Sequence, residues 1–440
     1  MKSYRYYLRL STAFLSRFKG LMFVGVIIGF FVFLFLRFFF PIMAGVPVEY
    51  IGMTGRFHSD GMPNEILAMV SDGLTSLDEE GDAVGNLAET WETTDDGRTW
   101  VFQIRSGVKW HDGSEVTSNT IQYFFEDVEI SRPDARTIVF KLDSPFAPFP
   151  IVVSRPTFKQ GLLGTGVWRV KKISLAGAYV KKLELTNGRE KKVIKFYPTE
   201  EKTKTAFKLG EIDKIQDVIN PTPFNEWNTV DISEEVNLGR YVGIFFNTEE
   251  GRSLSDKKLR QALSYSIDKN SFSSERAIGP ISPSSWAYNP QIKSYDYDIE
   301  HAKELLSDFS DEALENLNIN LSTTPTLLPI AESVASYWRE IGVKTEVHVT
   351  PVLPTDYQAF LAIYDIPEDP DQYSTWHSTQ LVTNISHLSN PRIDKLLEDG
   401  RLELGPDERK KIYLDFQRFL LEDAPAVFLY HPVNYTVNRK

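Results

Sequence analysis

Residues 87–113, LAETWETTDDGRTWVFQIRSGVKWHDG, hold the reading that decides the fold. Within them Thr99–Arg105 (TWVFQIR) is rich in aromatic and β-branched residues and reads as a strand. Asp95-Asp96-Gly97 and His111-Asp112-Gly113 are turn signals, because Asp-Gly tolerates the positive φ of tight turns. The same strand composition returns at Thr137–Leu142 (TIVFKL) and Tyr241–Phe246 (YVGIFF). In the second half the apolar period becomes helical. Asp256 is placed to cap a helix over 257–267 with Leu259, Ala262, Leu263 and Ile267 on one face. Asp298 can cap a second over 299–306, and 329–341, ending at Gly342, is a third. Residues 407–421 are a fourth, with Ile412, Phe416, Phe419 and Leu420 on the apolar side. Short strands are expected at 343–349 and 426–430. Strands alternating with helices predict α/β lobes.

The chain has 440 residues, about two to three domains by length, and 42% hydrophobic residues, enough for sizeable cores. It contains no cysteine, which excludes a disulfide scaffold, a thiolate metal site and a thiol nucleophile. The net charge of −12 argues against a nucleic-acid partner. That charge is uneven. Lys2, Arg5, Arg9, Arg17, Lys19 and Arg37 all precede the first acidic residue, Glu49. Without these six, 42 basic residues face 60 acidic ones and the rest of the chain carries −18. A small basic, apolar head is joined to a large acidic body.

Gly20–Leu36 is an uninterrupted apolar and small-residue run, and after Arg37 the apolar character resumes through Met43. Crossing the hydrocarbon layer takes about 20 such residues, which this run supplies if Arg37 snorkels to the interface. Five of the six basic residues precede it, so the positive-inside rule keeps the N-terminus cytoplasmic and the body outside. Ile42-Met43-Ala44 before Gly45 is a weak signal-peptidase site. The run is longer and the basic region broader than in signal peptides, so residues 1–45 read as an uncleaved single-pass signal anchor.

Catalytic signatures are missing. There is no GxxxxGK[ST] phosphate loop, no GxSxG elbow and no HExxH. The seven histidines are His58, His111, His301, His348, His377, His387 and His431, and none lies three or four residues from another. Neither an enzyme nor a bound metal or cofactor is expected. One loop does stand out. Tyr364–Ser378 (YDIPEDPDQYSTWHS) combines two prolines, four carboxylates, two tyrosines, Trp376 and His377. The prolines keep it from being a regular helix or a central strand. Flat aromatic faces beside carboxylates suit a ligand with an ammonium group and apolar side chains. The alternative is a surface loop whose aromatics pack on the body.

The opening stretch 87–113 resembles the signature of the bacterial solute-binding proteins, family 5, the peptide- and nickel-type extracytoplasmic binding proteins of ABC importers. The likeness continues through Thr137–Phe149 (TIVFKLDSPFAPF), Gly164–Val170 (GTGVWRV), Phe207–Asp213 (FKLGEID) and Leu259–Asp268 (LRQALSYSID). Trp376-His377-Ser378 and Asp423–Tyr430 (DAPAVFLY) close it, so collinear blocks span about residues 66 to 435. The resemblance implies a two-lobed type II periplasmic-binding fold, α/β in each lobe, that closes about a hinge. By position, 46–238 plus 425–440 would form lobe 1 and 239–424 lobe 2, with Tyr241–Asn247 and Val427–Tyr430 as the crossings.

It also implies a site. Peptide-binding members hold the ligand's α-ammonium on an aspartate in the loop matching Tyr364–Asp371, and Asp365 and Asp369 are both candidates. Tyr364, Tyr373, Trp376 and Trp286 would offer stacking faces, His377 a donor, and Tyr241 a place on the first crossing. Two departures follow from the matched positions. About ten residues between Asp127 and Thr137 stand where the family has a longer helical stretch, which implies a trimmed extra domain. The head takes the place of a lipid-modified cysteine. The expected function is a membrane-anchored, extracytoplasmic binding protein that captures peptide-like solutes for ABC permease subunits. Alternatives are a binder of another solute, a sugar or a nickel chelate, or a non-transport sensor or interaction module on the same fold.

Overall fold

The computed structural model describes residues 4–43, 46–272 and 274–440. Two large sheets organise the body. The first has seven strands: Val230–Val236 (β12), Val433–Arg439 (β18), Lys214–Val218 (β11), Val48–Thr54 (β1), Lys191–Tyr197 (β10), Tyr179–Thr186 (β9) and Arg169–Ala176 (β8), in that spatial order. The second has five: Lys344–Val349 (β15), Asn318–Thr323 (β14), Ala359–Asp365 (β16), Arg240–Phe246 (β13) and Ala426–Tyr430 (β17). A smaller sheet of Ala88–Thr94 (β4), Thr99–Ile104 (β5), Thr137–Leu142 (β7) and Val128–Ser131 (β6) leans on the first, beside a hairpin of Thr75–Leu77 (β2) and Ala83–Gly85 (β3).

The sequence pattern explains each sheet's burial. β5 alternates, with Trp100, Phe102 and Ile104 buried against Phe140 and Phe149 in the core of the small sheet. The ten-residue stretch before Thr137 forms β6 and its turn to β7, so this subdomain is strand-built. β13 is different: Tyr241 through Phe246 are all buried, as a central strand covered on both faces requires. Val242, Ile244 and Phe246 pack with the helices Lys257–Tyr265 and Leu328–Glu340, while Tyr241 and Phe245 face Trp376, Tyr413 and Phe416. Each such side chain contributes about 1.5–3 kcal/mol by leaving water. Asp256 caps its helix by accepting from the N–H groups of Lys258 and Leu259, and Asp298 does so from His301. The last long helix is Pro406–Asp423.

Gly164 and Gly166 belong to the quoted GTGVWRV block, and the packing shows why they are glycine. A Cβ on Gly164 would lie 2.1 Å from the Val70 carbonyl oxygen, and one on Gly166 2.7 Å from that of Met69. Both obstacles are backbone at the end of the helix Asn64–Val70. Gly164→Ala is therefore expected to destabilise the protein by about 1–3 kcal/mol, measured as a lowered urea midpoint with unchanged slope.

The division of the C-terminal segment differs from the one expected. β17 hydrogen-bonds along β13 in the second sheet, and only β18 joins the first. Residues 425–440 are thus split between the sheets. Tyr241–Phe246 and Val427–Tyr430 are second-sheet strands, and the crossings are the short links 237–239 and 431–432 after β12 and β17. The links run side by side. Asn237 N–H donates to the Pro432 carbonyl at 2.9 Å, and a ring nitrogen of His431 lies 2.6 Å from the Arg240 carbonyl.

The head is one helix, Tyr4–Met43. Its segment Ser16–Phe35, with mean hydropathy 2.4, is long and apolar enough to cross a membrane, a test that a secretion signal also passes. Ala44 and Gly45, the expected weak cleavage position, lie outside the described residues.

Candidate functional site

The two sheets meet at the paired links, and charged side chains gather there. Arg240 opens β13 and Asp365 ends β16, opposite each other in the strand register. Arg240 Nε donates to Asp365 Oδ1 at 2.5 Å. The Asp365 side chain remains 79% exposed, and its Oδ2 makes no hydrogen bond among the described residues. From the first lobe come Glu65, in the first turn of the helix Asn64–Val70, and Asp217 of β11, held at φ +58°. The Glu65 carboxyl is pushed up, by burial first and by Asp217 next, with Arg240 opposing and Asp365 adding to the rise. Four ionisable groups from both lobes thus lie within electrostatic reach of one another at the junction.

Beside this cluster is a cavity of about 220 Å³ lined from both lobes. Leu77, Asp78, Glu79 and Gly81 come from the β2–β3 hairpin, and Ser282, Ser284 and Ser285 with Ile366, Pro367 and Glu368 from the second lobe. Gly239 of the hinge link closes it. Two backbone hydrogen bonds join the lobes away from the hinge. Trp286 N–H donates to the Glu80 carbonyl at 3.2 Å, and Ala147 N–H to that of Arg401 at 2.7 Å. A larger hollow behind the hinge, lined by Phe272, Leu327, Tyr337 and Tyr430, has a single charged side chain, Glu340. The carboxylates Asp78, Glu79 and Glu368 make the interlobe cavity the better receptor for a solute that carries an ammonium group.

The eight residues singled out by sequence fall into three groups. Asp365, Tyr364 and Trp286 lie at the junction or its rim. Tyr364 is half-buried, with its hydroxyl 2.8 Å from Thr375 Oγ1, and Trp286 lies 5.4 Å from the Arg409 guanidinium. Tyr373 and His377 form a stacked pair at 4.0 Å. The Arg401 guanidinium lies over the Tyr373 ring at 3.9 Å, and His377 Nδ1 lies 2.8 Å from Thr379 Oγ1. Tyr241, Trp376 and Asp369 are interior. Tyr241 and Trp376 are fully buried, so neither offers a stacking face. Their core neighbours Phe245 and Phe428 explain this.

Asp369 is withdrawn from the ligand-anchor role for a different reason. Its two oxygens are held by Arg409, with Nη2 at 2.5 Å from Oδ1 and Nη1 at 2.9 Å from Oδ2. Both side chains are under 10% exposed. Asp371 is likewise engaged by Arg401 Nε at 2.8 Å. Of the two aspartates, Asp365 alone keeps an exposed oxygen. Sequence reasoning missed Arg240, Glu65, Asp217 and the serines. Arg240 had a readable signal, a charge directly preceding the apolar run Tyr241–Phe246. No group of three or more metal-ligating side chains occurs among the described residues.

Known proteins bear on this architecture directly. The Bacillus subtilis (strain 168) oligopeptide-binding protein AppA is 24% identical over 86% of this chain and 84% of its own. The probable D,D-dipeptide-binding periplasmic protein DdpA of Escherichia coli (strain K12) is 23% identical over 79% of each chain. Among solved structures, NikZ from Campylobacter jejuni in complex with Ni(L-His) superposes with a TM-score of 0.73 at 22% identity, covering 89% of this chain and 94% of that one. DppA from Helicobacter pylori with the peptide STSA gives 0.67 at 19% identity, covering 90% and 94%. Such proteins bind solutes rather than convert them. The profile of the bacterial extracellular solute-binding proteins, family 5, matches residues 82–380, and the chain belongs to that family.

Proposed function

We propose that this protein is a membrane-anchored, extracytoplasmic receptor that captures peptide-like solutes in the interlobe cavity and presents them to an ABC permease. The observation that carries the proposal is the exposed Asp365 carboxylate at the lobe junction, with one oxygen on Arg240 and the other turned to no protein group among those described. A solute's ammonium group would complete the carboxylate's hydrogen bonding. Ser282, Ser284 and Ser285 and the backbone of the β2–β3 hairpin would serve its peptide groups. A ligand touching both lobes stabilises the closed arrangement by its differential affinity for it, which gives the permease a form to recognise. Support for the peptide class comes from relatives named for peptides, and support for the anchor from the helix Tyr4–Met43 with its apolar Ser16–Phe35 segment.

The test is thermal unfolding of the full chain in detergent with pools of short peptides, of sugars and of nickel–amino-acid chelates. A peptide at about 100 times its Kd adds about 2.7 kcal/mol and raises the melting temperature. A shift with sugars or chelates and none with peptides contradicts the peptide assignment. Given a peptide hit, Asp365→Asn is expected to weaken it roughly 10- to 100-fold, the worth of a hydrogen-bonded charge, by calorimetric titration. Asp369→Asn would instead lower stability, because it breaks the buried pair with Arg409.

A further inference from the structure

The acidic body carries one strongly basic element. Between Arg169 and Lys195 there are nine Lys and Arg against two Glu, a net +7 within a chain of −12. These residues form the meander β8–β9–β10 at the edge of the first sheet. Arg169, Lys171, Lys172, Lys181, Arg189 and Lys191 are exposed and make no ion pair among the described residues. They are a solvated positive surface, and the Glu184 carboxyl is held below its usual range by Lys182 first, with Lys172 and Lys191 adding.

Strand register fixes which end of the sheet this charge favours. Val48, the first residue of β1, pairs with Lys191. Lys191 and Arg169 both pair with Thr186, and the turn 187–190 that holds Arg189 joins the same strand ends. Arg169, Arg189 and Lys191 therefore lie at the end where β1 begins, with Lys171 close by on β8. Exposed apolar side chains share that end, Val46 and Val48 on the approach to β1 and Val167 before β8, with half-buried Trp168 between Val167 and Arg169. Basic, apolar and tryptophan side chains together are the composition of a membrane-interface contact.

Chain length supplies a second, independent argument. Only residues 44–47 separate Met43, the end of the apolar helix, from Val48. Fully extended, that tether reaches at most about 18 Å, less than the roughly 20 Å spanned by β1 itself. A body tied this closely turns the beginning of β1 towards the bilayer, not the far end of the sheet.

We infer that the β1-starting end of the first lobe rests on anionic lipid headgroups through Arg169, Lys171, Arg189 and Lys191. The inference deepens the anchored-receptor reading and depends on its membrane-spanning helix. It gives the two lobes different mechanical roles. The first is pinned to the bilayer by tether and charge, and the second swings about links 237–239 and 431–432.

The full chain is to be reconstituted in nanodiscs of phosphatidylcholine alone or with about a third phosphatidylglycerol, with no other protein present. Backbone hydrogen exchange is followed across 169–195, and carbonate extraction of the same chain from vesicles reports insertion. The expected result is insertion in both lipids, with exchange over 169–195 slowed in the anionic discs only and restored by high salt. A Lys171→Gln/Arg189→Gln/Lys191→Gln variant should lose that protection, its docked-to-undocked ratio falling roughly 100-fold. Unchanged exchange over 240–246 and 318–323 shows that the variant is folded. Insertion with equal exchange in both lipids, or with protection kept in the triple variant, overturns the docking while leaving the anchor intact. Extraction by carbonate overturns the anchor, and the docking with it.

Discussion

Exchanging Arg409 for methionine is expected to lower the stability of the body by about 3–5 kcal/mol in urea unfolding. The guanidinium of Arg409 sits on the helix Pro406–Asp423 and grips both oxygens of Asp369 in the loop after β16. It also donates to the Gly400 carbonyl at 2.9 Å and to the Tyr413 hydroxyl at 3.3 Å. Burial opposes its charge, yet attraction to Asp369 outweighs this and holds its pKa above the usual value. Removing the cation strands a carboxylate in the interior, which costs more than the pair itself contributes. The double variant Arg409→Met/Asp369→Leu should recover much of the loss, because two apolar groups need no compensation. A single-variant loss below about 1 kcal/mol would show that the pair does not secure the loop that follows Asp365.

Lys269 gives the second large effect, and it appears in pH dependence. Its ammonium is buried and donates to the carbonyls of Ser264 and Tyr295, each at 2.6 Å, with no carboxylate within ion-pair distance among the described residues. Burial first, and Arg276 second, push its pKa down to about 7. The unfolded chain holds this proton up to about pH 10.4. Below about pH 7 both states are protonated and the folded state bears the full burden. Above it the unfolded state binds a proton that the folded state has released, so stability rises with pH. From about pH 7 to about pH 9.5 the rise is expected to be about 3 kcal/mol. Lys269→Met should flatten that slope. Parallel slopes for the two proteins would contradict the assignment.

How much of this was legible in the sequence depended on the range of the interactions. The strands at 99–104, 137–142 and 240–246 and the caps Asp256 and Asp298 were readable, because local composition and spacing set them. The meander β8–β10 was harder. Lysine doublets in RVKKISLA, YVKKLELT and KKVIKFY interrupt the apolar alternation, and only Val180, Leu183, Leu185, Ile194 and Phe196 mark the buried side. The partition of the C-terminus failed because β17 chooses its sheet by pairing with β13, over 180 residues earlier.

The candidate site was legible as a loop and illegible as a geometry. Asp365 and Asp369 are the same residue type four positions apart, and what separates their fates is Arg409, forty residues beyond the second. Trp376 and Tyr241 carry the aromatic composition of a binding surface, but Phe245 and Phe428 draw both into the core. Glu65 and Asp217 meet Arg240 only through the fold of the first lobe.

Calorimetric titration of one peptide against its N-acetylated form, on the wild-type chain and on Asp365→Asn, tests the central claim most directly. If the Asp365 carboxylate receives the ammonium, acetylation and the substitution should each cost roughly 10- to 100-fold in affinity, and together little more than either alone. Full, additive losses, or a peptide whose affinity ignores both changes, would place the ligand elsewhere and contradict the account.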